Sequence, residues 1–91
     1  MSYEVELLPA ALRELKKLKG DGRRRISEIL ESLEKENGRP YGYKKLHGRL
    51  SHMYRVDNGN FRVVYEIHDK TVVILVFRIG NRKDVYPDNR A

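Results

Sequence analysis

Tyr3, Val5 and Leu7 alternate with Glu4 and Glu6, the two-residue period of a half-buried strand, and Pro9 then closes the strand and opens a helix at its first turn. Ala11, Leu12, Leu15 and Leu18 recur at helical spacing, with Arg13, Glu14, Lys16 and Lys17 on the other face, until Gly20 ends the run. Asp21 is the expected N-cap of a second helix, whose stripe of Ile26, Ile29, Leu30 and Leu33 stops at Asn37-Gly38. From Arg39 to Gly48 the composition shifts to Gly, Pro, Tyr, Lys and His, which reads as an ordered loop with no regular element. His52 to Asp57 is a strand, Asn58-Gly59 a two-residue hairpin turn, and Phe61 to His68 the returning strand. After an Asp69-Lys70 turn, Thr71 to Ile79 makes the last strand. The pattern predicts an α+β fold: an N-terminal strand, an α-helical hairpin, and a three-stranded antiparallel meander, joined in one mostly antiparallel sheet.

The turns set a register. With Asn58-Gly59 as the turn, Asp57 pairs with Asn60, Val56 with Phe61, and Arg55 stands opposite Arg62. Like charges opposite each other in a sheet are unfavourable. The pair therefore faces a bound anion, splays into water, or meets Asp57 and Glu66. The Asp69-Lys70 turn sets Arg62 opposite Phe77 and Val64 opposite Leu75, while Phe61, Val63, Tyr65 and Ile67 line the other face with Val72, Ile74 and Val76. Both faces of the sheet are then apolar. Two helices blanket only one, so the second needs either a curled sheet or a docked protein.

Length and charge narrow the field. At 91 residues the chain reads as one domain, residues 1–91. Its 19 Lys and Arg against 13 Asp and Glu leave a formal charge of +6, which points to polyanions: nucleic acid or an acidic protein. Cysteine is absent, which excludes disulfides, thiolate zinc sites and a thiol nucleophile. No basic leader or membrane-length apolar run is present, so a cytoplasmic location away from membranes is expected. His47, His52 and His68 fit no metal-ligand spacing. Arg23-Arg24-Arg25 reads as the polar face at the start of a helix or as a contact to a partner.

The chemistry concentrates after the last strand, where Gly80-Asn81-Arg82-Lys83-Asp84-Val85-Tyr86 sets arginine, lysine and tyrosine together at the end of a rigid hairpin. With Lys45-Leu46-His47-Gly48, Tyr54-Arg55 and Arg62-Val63-Val64-Tyr65, this ending resembles the RelE branch of the RelE/ParE toxin superfamily over nearly the whole chain. The resemblance implies a toxin of a type II toxin-antitoxin system, a ribosome-dependent endoribonuclease that cleaves messenger RNA in the A site by metal-free attack of a ribose 2′-hydroxyl. It implies a cognate antitoxin and the ribosome, through ribosomal RNA and A-site messenger RNA, as partners, and no cofactor. By the same resemblance Arg62 binds the transition-state phosphate, Arg82 acts near the leaving group, Tyr86 is the terminal tyrosine, and Arg55 takes a position where the family often has lysine. Asp57 stands where a second strand lysine is common, and His47 where an arginine is common.

Tyr86 can act as a base, stack on an unpaired nucleobase, or anchor the tail by its ring. Arg55 and Arg82, as guanidiniums, serve a leaving oxygen electrostatically, whereas His47 could supply a proton. Lys44, Lys45, His47, Arg49, Arg78 and Lys83 are candidate RNA contacts. The same fold also suits a ParE-like poison of DNA gyrase, or a non-catalytic RNA- or ribosome-binding module.

Overall fold

The computed structural model describes residues 2–86. Strands β1 (Glu4–Leu7), β2 (Lys44–Lys45), β3 (Tyr54–Asn58), β4 (Phe61–His68) and β5 (Val73–Asn81) form one sheet in the order β1-β5-β4-β3-β2. Helices α1 (Pro9–Lys17) and α2 (Gly20–Lys35) lie between β1 and β2 in the chain. β1 runs parallel to β5 and every other pair is antiparallel. The expected α+β architecture is present, with β2 added inside the segment read as a loop: Lys44 pairs with Arg55 and Lys45 with Tyr54.

The helix boundaries differ at one cap. α2 begins at Gly20, and Lys19 is its N-cap without a side-chain bond, so Asp21 lies one step inside the helix. There its carboxylate pairs with Arg24 and, at 2.7 Å, with Arg25. A first-turn carboxylate suits the positive end of the helix dipole and relieves the arginine run beside it. Arg25 continues to the Asn58 side chain at 3.0 Å, so two of the three consecutive arginines act within the fold.

Both hairpin registers shift from the sequence expectation. Asn58 pairs with Phe61, Asp57 with Arg62, Val56 with Val63 and Arg55 with Val64, which moves the turn to Gly59-Asn60. Arg62 therefore faces a carboxylate rather than Arg55. The cause is Asn58, whose amide donates to Glu28 at 2.9 Å while its oxygen accepts from Arg25, so α2 draws it into the strand. At the other end the Asp69-Lys70 turn lengthens to the four residues 69–72, and His68 pairs with Val73. A bulge between Val64 and Tyr65 then sets Val64 opposite Arg78 and Arg62 opposite Gly80. Strand alternation flips across a bulge, which is why Ile79 joins Ile74 and Val76 on the same face.

That face carries the main core, with Val56, Val63 and Tyr65 packed under Ala11, Ile26, Ile29 and Leu33. Leu12, expected in the stripe of the first helix, is exposed. The second face is covered by the chain's own loop and tail. Leu46, Leu50 and Met53 of the loop before β3, with Val85 and Tyr86 of the tail, cover Val64 and Phe77. Among the described residues only Leu12 and Tyr41 are large exposed hydrophobics, so no uncovered sheet face remains to argue for a partner.

Tyr65 is fully buried and donates its hydroxyl to the Gly38 carbonyl at 2.8 Å. Burial, and then the neighbouring Tyr43 and Tyr54, push its phenol above the usual tyrosine range. The neutral phenol belongs to the folded state, while the unfolded chain ionises near ~10. Its contribution to stability is thus complete below that pH and is lost as pH rises through the folded-state value. Urea midpoints measured from pH ~8 to ~11 are expected to fall at the alkaline end. A Tyr65→Phe protein should lack that part of the slope and lose about 1 kcal/mol at neutral pH from the orphaned Gly38 carbonyl.

Candidate active site on the second sheet face

Two rows of side chains cross the sheet on the face away from the helices. Register sets Lys44, Arg55, Val64 and Arg78 in one row, and Asp57, Arg62 and Gly80 in the next. Residues directly opposite across a ladder share a face, so the cations of β2, β3, β4 and β5 are gathered by backbone pairing alone.

Asp57 lies at the centre. One carboxylate oxygen accepts from Arg62 Nε at 2.8 Å. The other accepts from Arg62 Nη2 at 3.2 Å and Arg55 Nη1 at 2.8 Å, and stands 3.7 Å from Arg82 Nε. Three guanidiniums thus meet one carboxylate, leaving the cluster positive. The arginines differ sharply in exposure: the Arg62 side chain is 2% exposed, Arg55 11% and Arg82 53%. Arg82 is therefore the one of the three most open to a ligand. Arg62 turns its remaining edge to the tail, donating from Nη1 to the carbonyls of Tyr86 at 2.6 Å and Val85 at 3.3 Å. Direct contact of Arg62 with a phosphate requires it to exchange partners it already holds.

The tail is built to receive this guanidinium. Asn81 accepts the amides of Asp84 and Val85 at its carbonyl, and its side chain accepts the Lys83 amide at 3.0 Å. Arg82 N–H donates to the Asn60 carbonyl at 2.8 Å, tying the tail to the β3–β4 turn. Gly80 has no side chain between Arg62 and the tail; a Cβ there would stand 3.1 Å from a Val85 methyl. Tyr86 adopts φ +44°, a left-handed conformation costing about 1–2 kcal/mol in a non-glycine residue. Its ring lies 5.7 Å from the Arg78 guanidinium. Arg78 is held in turn by Glu14 of α1 at 2.8 Å, and that bond raises the guanidinium above the ordinary arginine range. Glu14 also accepts the Ile79 amide, so α1 anchors β5 beside the tail.

Of the other sequence candidates, Lys44, Lys45, His47, Arg49 and Lys83 are exposed on β2, the covering loop and the tail turn. Arg78 is already committed to Glu14 and Tyr86. His52 and His68, distant in sequence, both reach Glu66, at 3.2 Å and 2.7 Å. Among the described residues no group of three His, Cys, Asp or Glu side chains is placed to hold a metal ion. No helix there is long and apolar enough to cross a membrane. A cleft of about 500 Å³ runs along α2 and the outer edge of β3, but Glu28 and Glu36 line it, which disfavours a polyanion. Of the outcomes open to the Arg55 and Arg62 pair, the structure shows the meeting with Asp57, while Glu66 goes to His52 and His68 instead; Glu14 as the anchor of Arg78 was missed, because it joins residues far apart in sequence.

The profile described as ParE toxin of type II toxin-antitoxin system, parDE, matches residues 5–86. The chain belongs to the RelE/ParE toxin superfamily. The toxin is 32% identical over 89 residues to a Methanocaldococcus jannaschii relative that carries the toxin name RelE1, covering 94% of this chain and 97% of that protein. Its fold is similar to a chain of the Mycobacterium tuberculosis RelBE2 toxin-antitoxin complex, with TM-score 0.78 and 25% identity over 90% of this chain and 100% of the other. A chain of the archaeal RelE-RelB complex from Pyrococcus horikoshii gives TM-score 0.73 and 27% identity over 93% and 100%. In this type II toxin the matched span includes both cation rows and Tyr86.

Proposed function

We propose that this toxin is a ribosome-dependent endoribonuclease that cleaves messenger RNA in the A site and is held in check by a cognate antitoxin. The observation that carries the reading is the gathering of Arg55, Arg62 and Arg82 around one carboxylate beside the Tyr86 segment. The complexes of RelB with RelE-type relatives support the antitoxin, and translating ribosomes place the work in the cytoplasm.

In the proposed step the ribose 2′-oxygen attacks the adjacent phosphorus, the bond from phosphorus to the 5′-oxygen breaks, and a 2′,3′-cyclic phosphate and a 5′-hydroxyl result. The 2′-hydroxyl proton passes to Tyr86 in its phenolate form, giving the neutral phenol, and a proton from solvent or from His47 in its imidazolium form completes the leaving hydroxyl. Because the nucleophile is internal, catalysis reduces to alignment and charge stabilisation. Arg82 meets the growing phosphate charge by charge-assisted hydrogen bonds, with Arg55 and Arg62 sustaining the positive potential behind it. Lys44, Lys45, His47, Arg49 and Lys83 supply contacts to RNA backbone, and Arg78 backs the Tyr86 ring.

Mapping of 5′ ends on a translated message tests this beside a gyrase supercoiling assay. Codon-phased cuts by the wild type are expected, reduced about 100- to 1000-fold in Arg82→Ala and in Tyr86→Phe, with a measurable residual rate in each. The description of the matching profile as ParE favours gyrase poisoning as the second reading, and gyrase inhibition without cuts would select it.

A further inference from the structure

We infer that Asp57 is a positioning residue of this site: through Arg62 it seats the Val85–Tyr86 segment and so sets where the phenol stands. The inference deepens the proposed cleavage and rests on that reading for its kinetic arm alone. Arg62 is buried, and a guanidinium taken out of water needs a partnered countercharge to stay in place. Asp57 supplies it with a two-point bond, Oδ1 to Nε at 2.8 Å and Oδ2 to Nη2 at 3.2 Å. The guanidinium is planar with donors in a fixed fork, so fixing one edge fixes the direction of the other. That other edge holds the carbonyls of Tyr86 and Val85.

The backbone supplies an independent observation. Tyr86 stands at φ +44°, a conformation that a tyrosine keeps only where its surroundings over-determine it. The bond from Arg62 to its carbonyl, at 2.6 Å, is one contact that does so, beside the Arg78 guanidinium at the ring, and Gly80 leaves the room for it. The same carboxylate also holds Arg55 and stands near Arg82. One residue of β3 thus coordinates β4, the end of β5 and the tail. A lysine at position 57 would repel all three arginines, and an alanine would leave Arg62 buried without this partner.

Amide hydrogen exchange and single-turnover cleavage on Asp57→Asn, Tyr86→Phe and the double variant test the inference. In Asp57→Asn the Val85 amide is expected to lose protection about 10-fold or more, while the amides of Val63 and Val76 in the sheet keep theirs. The maximal cleavage rate should fall about 10- to 100-fold with half-saturation by ribosomes little changed. In the Tyr86→Phe background the same substitution should cost less than about 3-fold, because the group it positions is gone. Unchanged Val85 protection, an equal cost in both backgrounds, or faster cleavage by Asp57→Asn would each overturn the inference. Should the wild type cut no RNA, the proposed function falls, and the exchange measurement alone decides for or against the role of Asp57. If Asp57→Asn does not fold, Asp57→Glu, which keeps the charge on a longer arm, takes its place: lost Val85 protection supports the positioning role and unchanged protection overturns it.

Discussion

An Arg62→Ala protein is expected to lose both folding stability and the proposed cleavage, whereas Arg82→Ala loses cleavage alone. The two arginines share Asp57 but differ in burial, with side chains 2% and 53% exposed. Removing Arg62 strips donors from the Val85 and Tyr86 carbonyls and empties a buried site against the tail. Asp57 keeps Arg55, so the carboxylate is not orphaned and the cost stays below that of a fully broken buried pair. About 2–4 kcal/mol is expected, read from urea unfolding. Cleavage of a translated message should fall about 100-fold, because the Tyr86 segment loses the guanidinium that seats it. Arg62→Lys should restore part of the stability and little of the rate, since an ammonium cannot bind Asp57 and two carbonyls in one plane. Arg82→Ala should stay within about 0.5 kcal/mol of wild type in stability. Equal stability losses in Arg62→Ala and Arg82→Ala would refute the division between a buried strut and an exposed contact.

Gly38→Ala is expected to destabilise the fold by about 3–5 kcal/mol while leaving cleavage per folded molecule unchanged. Two costs add at this position. Gly38 has φ +83°, where a side chain is strained. A Cβ there would also stand 2.6 Å from Ile74 Cδ1 and 2.9 Å from Ile67 Cγ1, inside the main core. Relief by backbone movement would pull the Gly38 carbonyl from the Tyr65 hydroxyl. Gly38 is on the helix side of the sheet, away from Asp57 and the tail, so cleavage should follow only the folded fraction. Chemical denaturation together with cleavage normalised to folded protein checks both halves. A shift below about 1 kcal/mol would mean that Ile67 and Ile74 repack freely.

These two positions differ in how much of their role could be read from the chain. Asn37-Gly38 reads as a helix stop from local chemistry, and α2 does end just before it. Its second role, packing on Ile67 and Ile74 and accepting from Tyr65, joins residues far apart in sequence. Arg62 reads as a functional arginine through family resemblance, yet its burial and its hold on the tail depend on where β3 and β4 meet. Sheet pairing brings Arg55 and Arg62 together, while Arg82 and Tyr86 join them through the turn and tail after β5.

The order of elements apart from β2, the two helices and the faces of β3 and β4 follow from the sequence by itself, because apolar periodicity is local and a strand's faces depend only on parity. Moving a two-residue turn by one position changes each partner by two residues, which preserves the faces and alters every pair. Tertiary structure decided the pairs: α2 draws Asn58 into β3, a bulge reverses the alternation of β5, and the covering loop and tail close the second face. Arg62 thereby meets Asp57 instead of Arg55. Turn propensities differ by little beside the bonds Asn58 makes to Arg25 and Glu28, so long-range contacts chose the register that neighbouring residues left open.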